Sequence, residues 1–469
     1  MFSRRGTLTL ACLATAMLML DIAVVNAALP RIARDLHSGL AGVQWVVDAY
    51  TVALATVVLS AGSLADRFGR RRVFAAGTSL FTAASLGCAL ATTIAALDAA
   101  RAVQGLGAAM MFATSLAIVV DAFPDELGRA KAFAAYGATI GASFAIGPLA
   151  GGALTSWVGW RAVFSVNLPV GVATVLGSAR WVRESRNPAA RRIDLPGQAT
   201  LSGGMFLLVL ALMRGNAQGW ASWRSIAELT TAAVLLAAFV VVQGRVAEPM
   251  LPLELFRRRD FTAAQIAAFA ISASFFALYL YLTLYLQITL RLSPVEAGLV
   301  FLPGTALVFA VSAASARLGR RIPAPTLVVA GLSLVAGGLG LMTVAGAHSR
   351  WWALLPGELV VCFGTGLFNP ALGAVAMGSA PPERSGLAAG VNDAFRQGGI
   401  AVGVAAFGTL VPAAGAVRAV DPAAYVTGLH HALTVGAGLA LLGAVLSAVL
   451  LRARAAAGRH AADALAELG

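Results

Sequence analysis

Apolar stretches of about 20 residues follow one another along almost the whole chain, each nearly free of charge and each long enough to cross a hydrocarbon core of roughly 30 Å. Backbone polar groups inside such a core find no water, so the spanning element has to satisfy them itself, as a helix does. Soluble domains carry about 25% charged residues. Here the share is 12%, beside 59% hydrophobic residues and a mean hydropathy of +0.82. A length of 469 residues would otherwise suggest two or three soluble domains. The apolar runs overrule that, and the chain reads as an all-α integral membrane protein.

Windows bounded by turn residues give fourteen spans, near 7–29, 43–63, 73–92, 96–119, 132–154, 163–182, 197–213, 225–244, 262–286, 296–316, 324–345, 353–377, 385–411 and 428–451. The seventh is the shortest and is interrupted by Gly203–Gly204. The opening segment, with Arg4 and Arg5 ahead of an apolar run, has the outline of a secretory leader. Its length, and Asp21 and Asn26 within it, read instead as a first span. With the N terminus in the cytoplasm, the cytoplasmic loops hold about three times the basic residues of the opposite loops, which sets both termini on that side. The expected location is the inner (cytoplasmic) cell membrane, crossed many times.

The net charge of +13 sits in these short loops, so it serves orientation rather than nucleic-acid binding. Cys12, Cys88 and Cys362 fall in three separate windows and read as packing residues, not a disulfide framework. The His430–His431 pair has no third ligand nearby, so neither a metal nor a cofactor is expected. The longest loops, near 183–196 and 245–261, leave no room for a catalytic or receptor domain.

The loop after span two reads Ala65-Asp66-Arg67-Phe68-Gly69-Arg70-Arg71, and the loop after span ten reads Ala316-Arg317-Leu318-Gly319-Arg320-Arg321. With spans seven and eight taken as an insertion, each string lies between the second and third helices of its half. Duplicated halves around a central path are a transporter's construction. The expected division is 1–182 for one six-helix bundle, 183–261 for linker segments with two extra spans, 262–452 for the second bundle and 453–469 for a short tail.

A charge inside a span costs several kcal/mol unless it is paired or hydrated. Asp21 lies in the outer half of span one, and Asp48 and Arg101 enter from the same side by about one and a half turns, roughly 7 Å. All three can share one depth. A carboxylate alternating between an apolar surrounding and an Arg changes its hold on a proton, which is a coupling device. A second reading is that Asp98 and Arg101, spaced i,i+3, simply pair on one helix face. Arg101 and Gln104 share that face, with the small residues Gly105 and Gly107 beside them. Span five carries Gly137, Gly141, Ala145, Pro148 and Gly152 in one stripe, either for tight packing or for a helix that must flex at Gly147-Pro148.

Together these strings resemble the major facilitator superfamily, and within it the fourteen-span drug:proton antiporters. Gly62-Ser-Leu-Ala65-Asp66-Arg67-Phe-Gly69-Arg70-Arg71-Arg72 is similar to the superfamily loop motif. Leu97…Arg101…Gln104-Gly105…Gly107 matches the span-four motif, and Gly147-Pro148-Leu-Ala-Gly151-Gly152 the span-five motif of exporters. Leu20-Asp21 through Asn26 to Leu29-Pro30 resembles the first-span motif, except for Ala23 where a Thr is usual. Trp160-Arg161 through Asn167 to Pro169, Leu292-Ser293-Pro294 with Gly298 and Pro303, and Asn392 through Gly399 also fit.

The resemblance implies two six-helix bundles related by a pseudo-twofold axis, with two extra central helices. It implies proton-coupled export of small amphipathic organic compounds by a monomer in the bilayer, powered by the proton gradient with no cofactor. Asp21 would bind the proton, with Arg101 near it to set its protonation; Asp48 joins this proton-coupling set by its depth, not by the resemblance. Gly62, Asp66, Arg67, Gly69, Arg70 and Arg71 would form a conformational latch, Asp66 reaching the facing helix end. Gly147, Pro148, Gly151 and Gly152 would bend the fifth span where the halves meet. Asn26, Asn392, Arg396 and Gln397 would line the cavity, or the last two would serve as partners of Asp393. A dedicated exporter of one native metabolite and an importer are the other readings.

Overall fold

In the computed structural model the structure describes residues 3–186, 194–318, 321–379, 385–411 and 421–466. Among these every regular element is helical. The principal helices are α1 (Arg4–Asp35), α2 (Leu40–Phe68), α3 (Arg70–Leu90), α4 (Ile94–Ala122), α5 (Glu126–Trp157), α6 (Arg161–Ser165), α7 (Asn167–Trp181), α8 (Leu195–Gln218) and α9 (Trp223–Arg245). There follow α10 (Arg259–Ile271), α11 (Ala277–Leu284), α12 (Pro294–Leu318), α13 (Ala324–Met342), α14 (Leu355–Gly378), α15 (Ser385–Gly408) and α16 (Pro422–Ala466). Two π turns, Ser272–Phe276 and Tyr285–Thr289, flank α11, so Arg259–Thr289 is one interrupted rod.

Polar residues placed at the starts explain several of these boundaries. Ser3, Thr93, Asp125, Asp194 and Ser222 each accept a hydrogen bond from a first-turn N–H, which would otherwise be left without a partner. Among the described residues, 12 helices are long and apolar enough to cross a membrane. Two further helices, α5 and α15, occupy the windows expected for spans five and thirteen. The expected interruption at Gly203–Gly204 is absent, because α8 runs through it unbroken. A Cβ at Gly204 would stand 2.8 Å from Leu236 Cγ, so this glycine lets α9 close on α8 rather than ending the helix.

The helices form two sets. In the N-terminal set α1 packs on α4, α5 and α7, α2 on α4, and α3 on α4 and α7. In the C-terminal set α13 packs on α14 and α16, α12 on α14, and α10 on α15 and α16. The sets meet where α5 lies on α12 and α2 on α15, with a smaller contact of α1 and α11. The most apolar stretch of Arg259–Thr289 is 78% buried, whereas that of α9 is 17% buried, so the first is central and the second peripheral.

At the end of the bundle that carries the α1–α2 turn, the sets are tied by hydrogen bonds. Gln44 Nε2 donates to Tyr281 Oη (2.7 Å), which donates to Val404 O (2.5 Å), and Gln287 Nε2 donates to Ala27 O (2.9 Å). The α8–α9 hairpin lies over the α2–α15 seam. Ser60 Oγ donates to Gln198 Oε1 (2.6 Å), Trp45 meets Phe206 at 5.6 Å between ring centroids, and Val52, Val209, Ala401 and Ala405 form one apolar cluster.

Candidate functional site

Asp21 is buried in the middle of α1 and receives hydrogen bonds from three side chains on two other helices, α4 and α7. Arg101 Nη1 on α4 lies 2.5 Å from Oδ2, while Gln104 Nε2 and Asn167 Nδ2 donate to Oδ1 at 2.9 and 3.0 Å. The same guanidinium donates to Gln104 Oε1 (2.7 Å) and to Val46 O (2.9 Å), and it stacks 4.1 Å above the Tyr50 ring. Ser85 Oγ on α3 accepts from Gln104 Nε2 at 2.8 Å and Asn167 Nδ2 at 3.3 Å. Each charge therefore has several hydrogen-bond partners at 2% exposure or less. Removing one partner of a buried pair costs about 3–5 kcal/mol, because the other charge is stranded. The i,i+3 reading fails here: Arg101 turns to Asp21, and Asp98 Oδ1 has no hydrogen-bond partner.

Asp48 is not part of this network. It lies one turn along α2 from Gln44, fully buried, and both its carboxylate oxygens lack a hydrogen-bond partner. The i,i+4 spacing puts it on the face that Gln44 turns toward Tyr281, between the two helix sets. The shared depth of Asp21, Asp48 and Arg101 thus resolves into one satisfied pair and one solitary carboxylate.

The cavity residues divide similarly. Asn26 Nδ2 is spent on Ile22 O of its own helix (3.0 Å), and Asn392 Nδ2 reaches Gln265 Oε1 (3.2 Å) on α10. The Arg396 guanidinium lies 5.6 Å from the Phe276 ring centroid, and the buried Asp393 Oδ2 and Gln397 Oε1 have no hydrogen-bond partner. Ala23 lies away from the Asp21 network. A Cβ on Gly147 would collide with it, and it lines a small cavity with Ala27, Pro148, Tyr279, Thr283, Ala297, Gly298 and Phe301. The hydroxyl of a Thr at this position would belong to that cavity rather than to the carboxylate.

The loop between α2 and α3 turns at Gly69, whose φ of +107° is one that residues with a Cβ rarely adopt. Asp66 Oδ1 accepts from Arg70 Nε (3.1 Å) and Nη2 (2.9 Å), and Arg70 Nη1 continues to Asp121 Oδ1 (2.7 Å) at the end of α4. Ser185 Oγ donates to the other oxygen of Asp121, and the Arg71 N–H donates to Glu184 Oε1 (3.1 Å). Arg67 is exposed against the Phe68 ring, and a Cβ on Gly62 would meet nothing within 4 Å. Among the described residues, then, Asp66 is held by its own helix set rather than by a helix end of the other set. The matching string at Arg317, Gly319 and Arg320 lies outside the described side chains, as do Gly137, Gly141 and Ala145.

The Gly147–Gly152 segment sits where three helices converge. A Cβ on Gly151 would stand 2.9 Å from Val24 Cα of α1, and one on Gly152 would stand 2.9 Å from Val295 Cα of α12. A Cβ on Gly298 of α12 would in turn lie 2.6 Å from Pro148 O. Gly105 plays the equivalent part between α4 and α2, against Ala53. Packing backbone on backbone leaves no side chains to interlock.

The family model for the Major Facilitator Superfamily matches residues 11–404. The chain belongs to this superfamily. It is similar to the multidrug resistance protein Stp of Mycobacterium tuberculosis, 40% identical over 401 residues, which cover 85% of this chain and 74% of that one. It is also similar to the puromycin resistance protein pur8 of Streptomyces alboniger, 37% identical over 451 residues and covering 93% and 89% of the two chains. A crystal structure of a peptide transporter with bound sulfate shares the fold, with a TM-score of 0.67 at 18% identity over 97% of this chain and 95% of that one. This major facilitator protein is a multi-pass membrane transporter of small molecules, not an enzyme.

Four residues of its polar networks were given no role by the sequence. Asn167 stood inside a family string, but Ser85 was indistinguishable from a packing serine. Asp121 and Glu184 read as ordinary acids at span ends. The last two carry the Arg70 and Arg71 contacts. These ion pairs are partly exposed, with side chains 23–35% accessible, so the network is worth about 1 kcal/mol. Asp66→Ala is therefore expected to slow turnover about fivefold while leaving substrate affinity within twofold. Parallel transport kinetics and binding on the purified protein check this, and a large affinity loss would count against a latch.

Proposed function

We propose that this transporter exports small amphipathic organic compounds in exchange for protons, using Asp21 as a proton-binding carboxylate and Arg101 as its partner. The observation that carries the reading is the buried Asp21–Arg101 pair, held by Gln104 and Asn167, in a member of a transporter superfamily. A buried charge pair is weak evidence for stability alone, and within a membrane it marks an ion path by default. Relatives named for multidrug and puromycin resistance support drugs or antibiotics as cargo.

The cycle is alternating access. The N-terminal bundle (1–182) and the C-terminal bundle (262–452) rock about a central site, with 183–261 supplying two added helices, for fourteen spans in all. Both termini lie in the cytoplasm, and the protein works as a monomer in the inner membrane, driven by the proton gradient with no cofactor. Asp48, solitary between the helix sets, serves as a second proton site. A proton reaching Asp21 weakens its hold on Arg101, leaving the guanidinium to its existing bonds with Gln104 and Val46 O and loosening α1 against α4. Asn26, Asn392, Arg396 and Gln397 belong to the substrate path.

A second reading, a dedicated exporter of one metabolite, is favoured by relatives named for single compounds, such as the tetracenomycin C resistance and export protein of Streptomyces glaucescens. Proteoliposomes with a preset proton gradient separate the readings. Addition of a transported compound is expected to collapse the gradient at least tenfold faster than the lipid leak. Many compounds doing so supports breadth, a single one supports the dedicated exporter, and none overturns proton exchange.

A further inference from the structure

Asp98 is the acid that the Asp21 network leaves over. It lies on α4 one turn before Arg101, toward the end of the bundle that carries the α1–α2 turn. The residue is half-buried, but its Oδ1 is enclosed and has no hydrogen-bond partner. An enclosed carboxylate oxygen left without a donor is costly, so it calls for an explanation. Capping the helix is not one: Thr93 already does so, accepting from Ala96 N at 3.2 Å. The family string supplies none either, since its fixed positions here are Leu97 and Arg101 and skip residue 98.

Arg101 holds the matching donor. Its Nε donates to Val46 O and its Nη1 to Asp21 and Gln104, while no hydrogen bond among the described residues uses Nη2. Residues spaced i,i+3 are neighbours on one helix face, and a long side chain leans back over the preceding turn. For Arg101 that turn contains Asp98, and Arg101 is the charged group that acts on it. Around the pair, α1 contributes Asp21, α2 contributes Tyr50 and α3 contributes Cys88, while Asp48 of α2 lies on the face turned to Tyr281. Arg31 and Asp35 of α1 pair with each other, and Arg161 is spent on Ala91 O and the Trp160 ring. On α15 Arg396 is turned to Phe276, with Asp393 one turn before it. The charged residues of α5 fall in its first two turns, at the far end of α4.

We propose that Asp98 is a second seat for the Arg101 guanidinium, taken when Asp21 carries a proton. The timing rests on the reading of Asp21 as the proton carrier; the pairing does not. A neutral Asp21 leaves the buried guanidinium without a counter-charge, which a membrane interior makes costly. Tilting on its Nε bond to Val46 O, across the Tyr50 ring 4.1 Å away, Arg101 brings Nη2 to Asp98 Oδ1. The guanidinium keeps its charge throughout, and the proton that triggers the move stays on Asp21. Charge is then balanced within α4 alone, so α1 can part from α4 without stranding either residue. The second seat is the poorer one, because Gln104 and Asn167 hold Asp21 and not Asp98. Loss of the proton therefore returns Arg101 to Asp21. Asp98 acts through Arg101 and is a positioning residue.

A double-mutant cycle on thermal unfolding of the purified full chain tests the pairing. Asp98→Asn alone is expected to lower the midpoint by no more than about 2 °C, because Arg101 keeps Asp21. In an Asp21→Asn background the same change is expected to cost at least about 5 °C, because the guanidinium then has no acid. If the doubly substituted protein cannot be purified, adding Arg101→Gln is expected to restore it. Equal losses in the two backgrounds, or no rescue by Arg101→Gln, overturns the proposal. Proteoliposomes test the timing. Asp98→Asn is expected to lower the pH of half-maximal proton exchange, on the side of the α1–α2 turn, by about one unit. Asp98→Glu is expected to restore it. With Asp21→Asn uncoupled, an unchanged midpoint in Asp98→Asn overturns the proposal. If pH-driven efflux instead persists in Asp21→Asn, the reading of Asp21 fails, and the stability cycle alone decides whether Asp98 can hold Arg101.

Discussion

Asp21→Asn is expected to abolish pH-driven efflux in everted vesicles, lowering the initial rate at least a hundredfold while the protein still reaches the membrane. The amide keeps the shape of the carboxylate but cannot exchange a proton, and one of its two positions facing Arg101, Gln104 and Asn167 becomes a donor facing donors. Arg101 loses its counter-charge while remaining tied to Val46 O and Gln104 Oε1, so a stability loss of about 3 kcal/mol accompanies the loss of coupling. A paired substitution separates the two effects. Asp21→Asn with Arg101→Gln removes both charges and is expected to recover much of the thermal stability, because replacing both partners strands neither. Coupling is expected to stay lost. An Asp21→Asn protein whose efflux followed pH as the wild type does would falsify the assignment of the proton to this carboxylate.

Gly298→Val is expected to produce the second large effect, by a different route. The α5–α12 crossing puts Gly298 against Pro148 O and Gly152 against Val295 Cα, with backbone meeting backbone. Adding methyl groups to so tight a contact costs about 1–3 kcal/mol in the arrangement that contains it. Near the middle of that range, the balance between this arrangement and one with the crossing open shifts by about thirtyfold. Transport is expected to fall at least tenfold. Thr283→Cys, placed in the adjacent cavity, is expected to react about tenfold faster with a membrane-impermeant maleimide supplied from the side of the α1–α2 turn. Gly298→Ala should show a smaller change in the same direction. Unchanged labelling together with unchanged transport would mean that this crossing does not separate during the cycle.

The sequence made Asp21, Arg101 and Gln104 legible for one reason: polarity inside an apolar run has a cost that must be met somewhere. The same reasoning could not say what meets it. Arg101 had an acid three residues away on its own helix, and only the packing of α1 against α4 decides for Asp21 over Asp98. Ser85 and Asn167 were hidden because such residues are common on packed helix faces. The latch string was legible as a turn, since Gly69 needs a positive φ. Its acidic partners Asp121 and Glu184 were not, because acids at span ends are ordinary. The glycine-rich fifth span left packing and flexing open, and its position on both α1 and α12 now gives the close approach a definite place. That the chain is a succession of apolar helices followed from hydropathy, which is blind to which helix meets which.

The α8–α9 hairpin makes the protein's two flanks unequal. On one flank the joint between α2 and α15 is roofed by α8, fastened through Ser60 and Gln198 and filled by Trp45, Phe206 and Val209. On the other, no described helix lies over the meeting of α5 and α12, and Ile146 and Leu299 beside the crossing are 57% and 48% exposed. A molecule dissolved among lipid tails thus meets exposed apolar side chains along one seam and a covered seam along the other. In the rocking cycle proposed above, the hairpin would load one seam and leave the other bare.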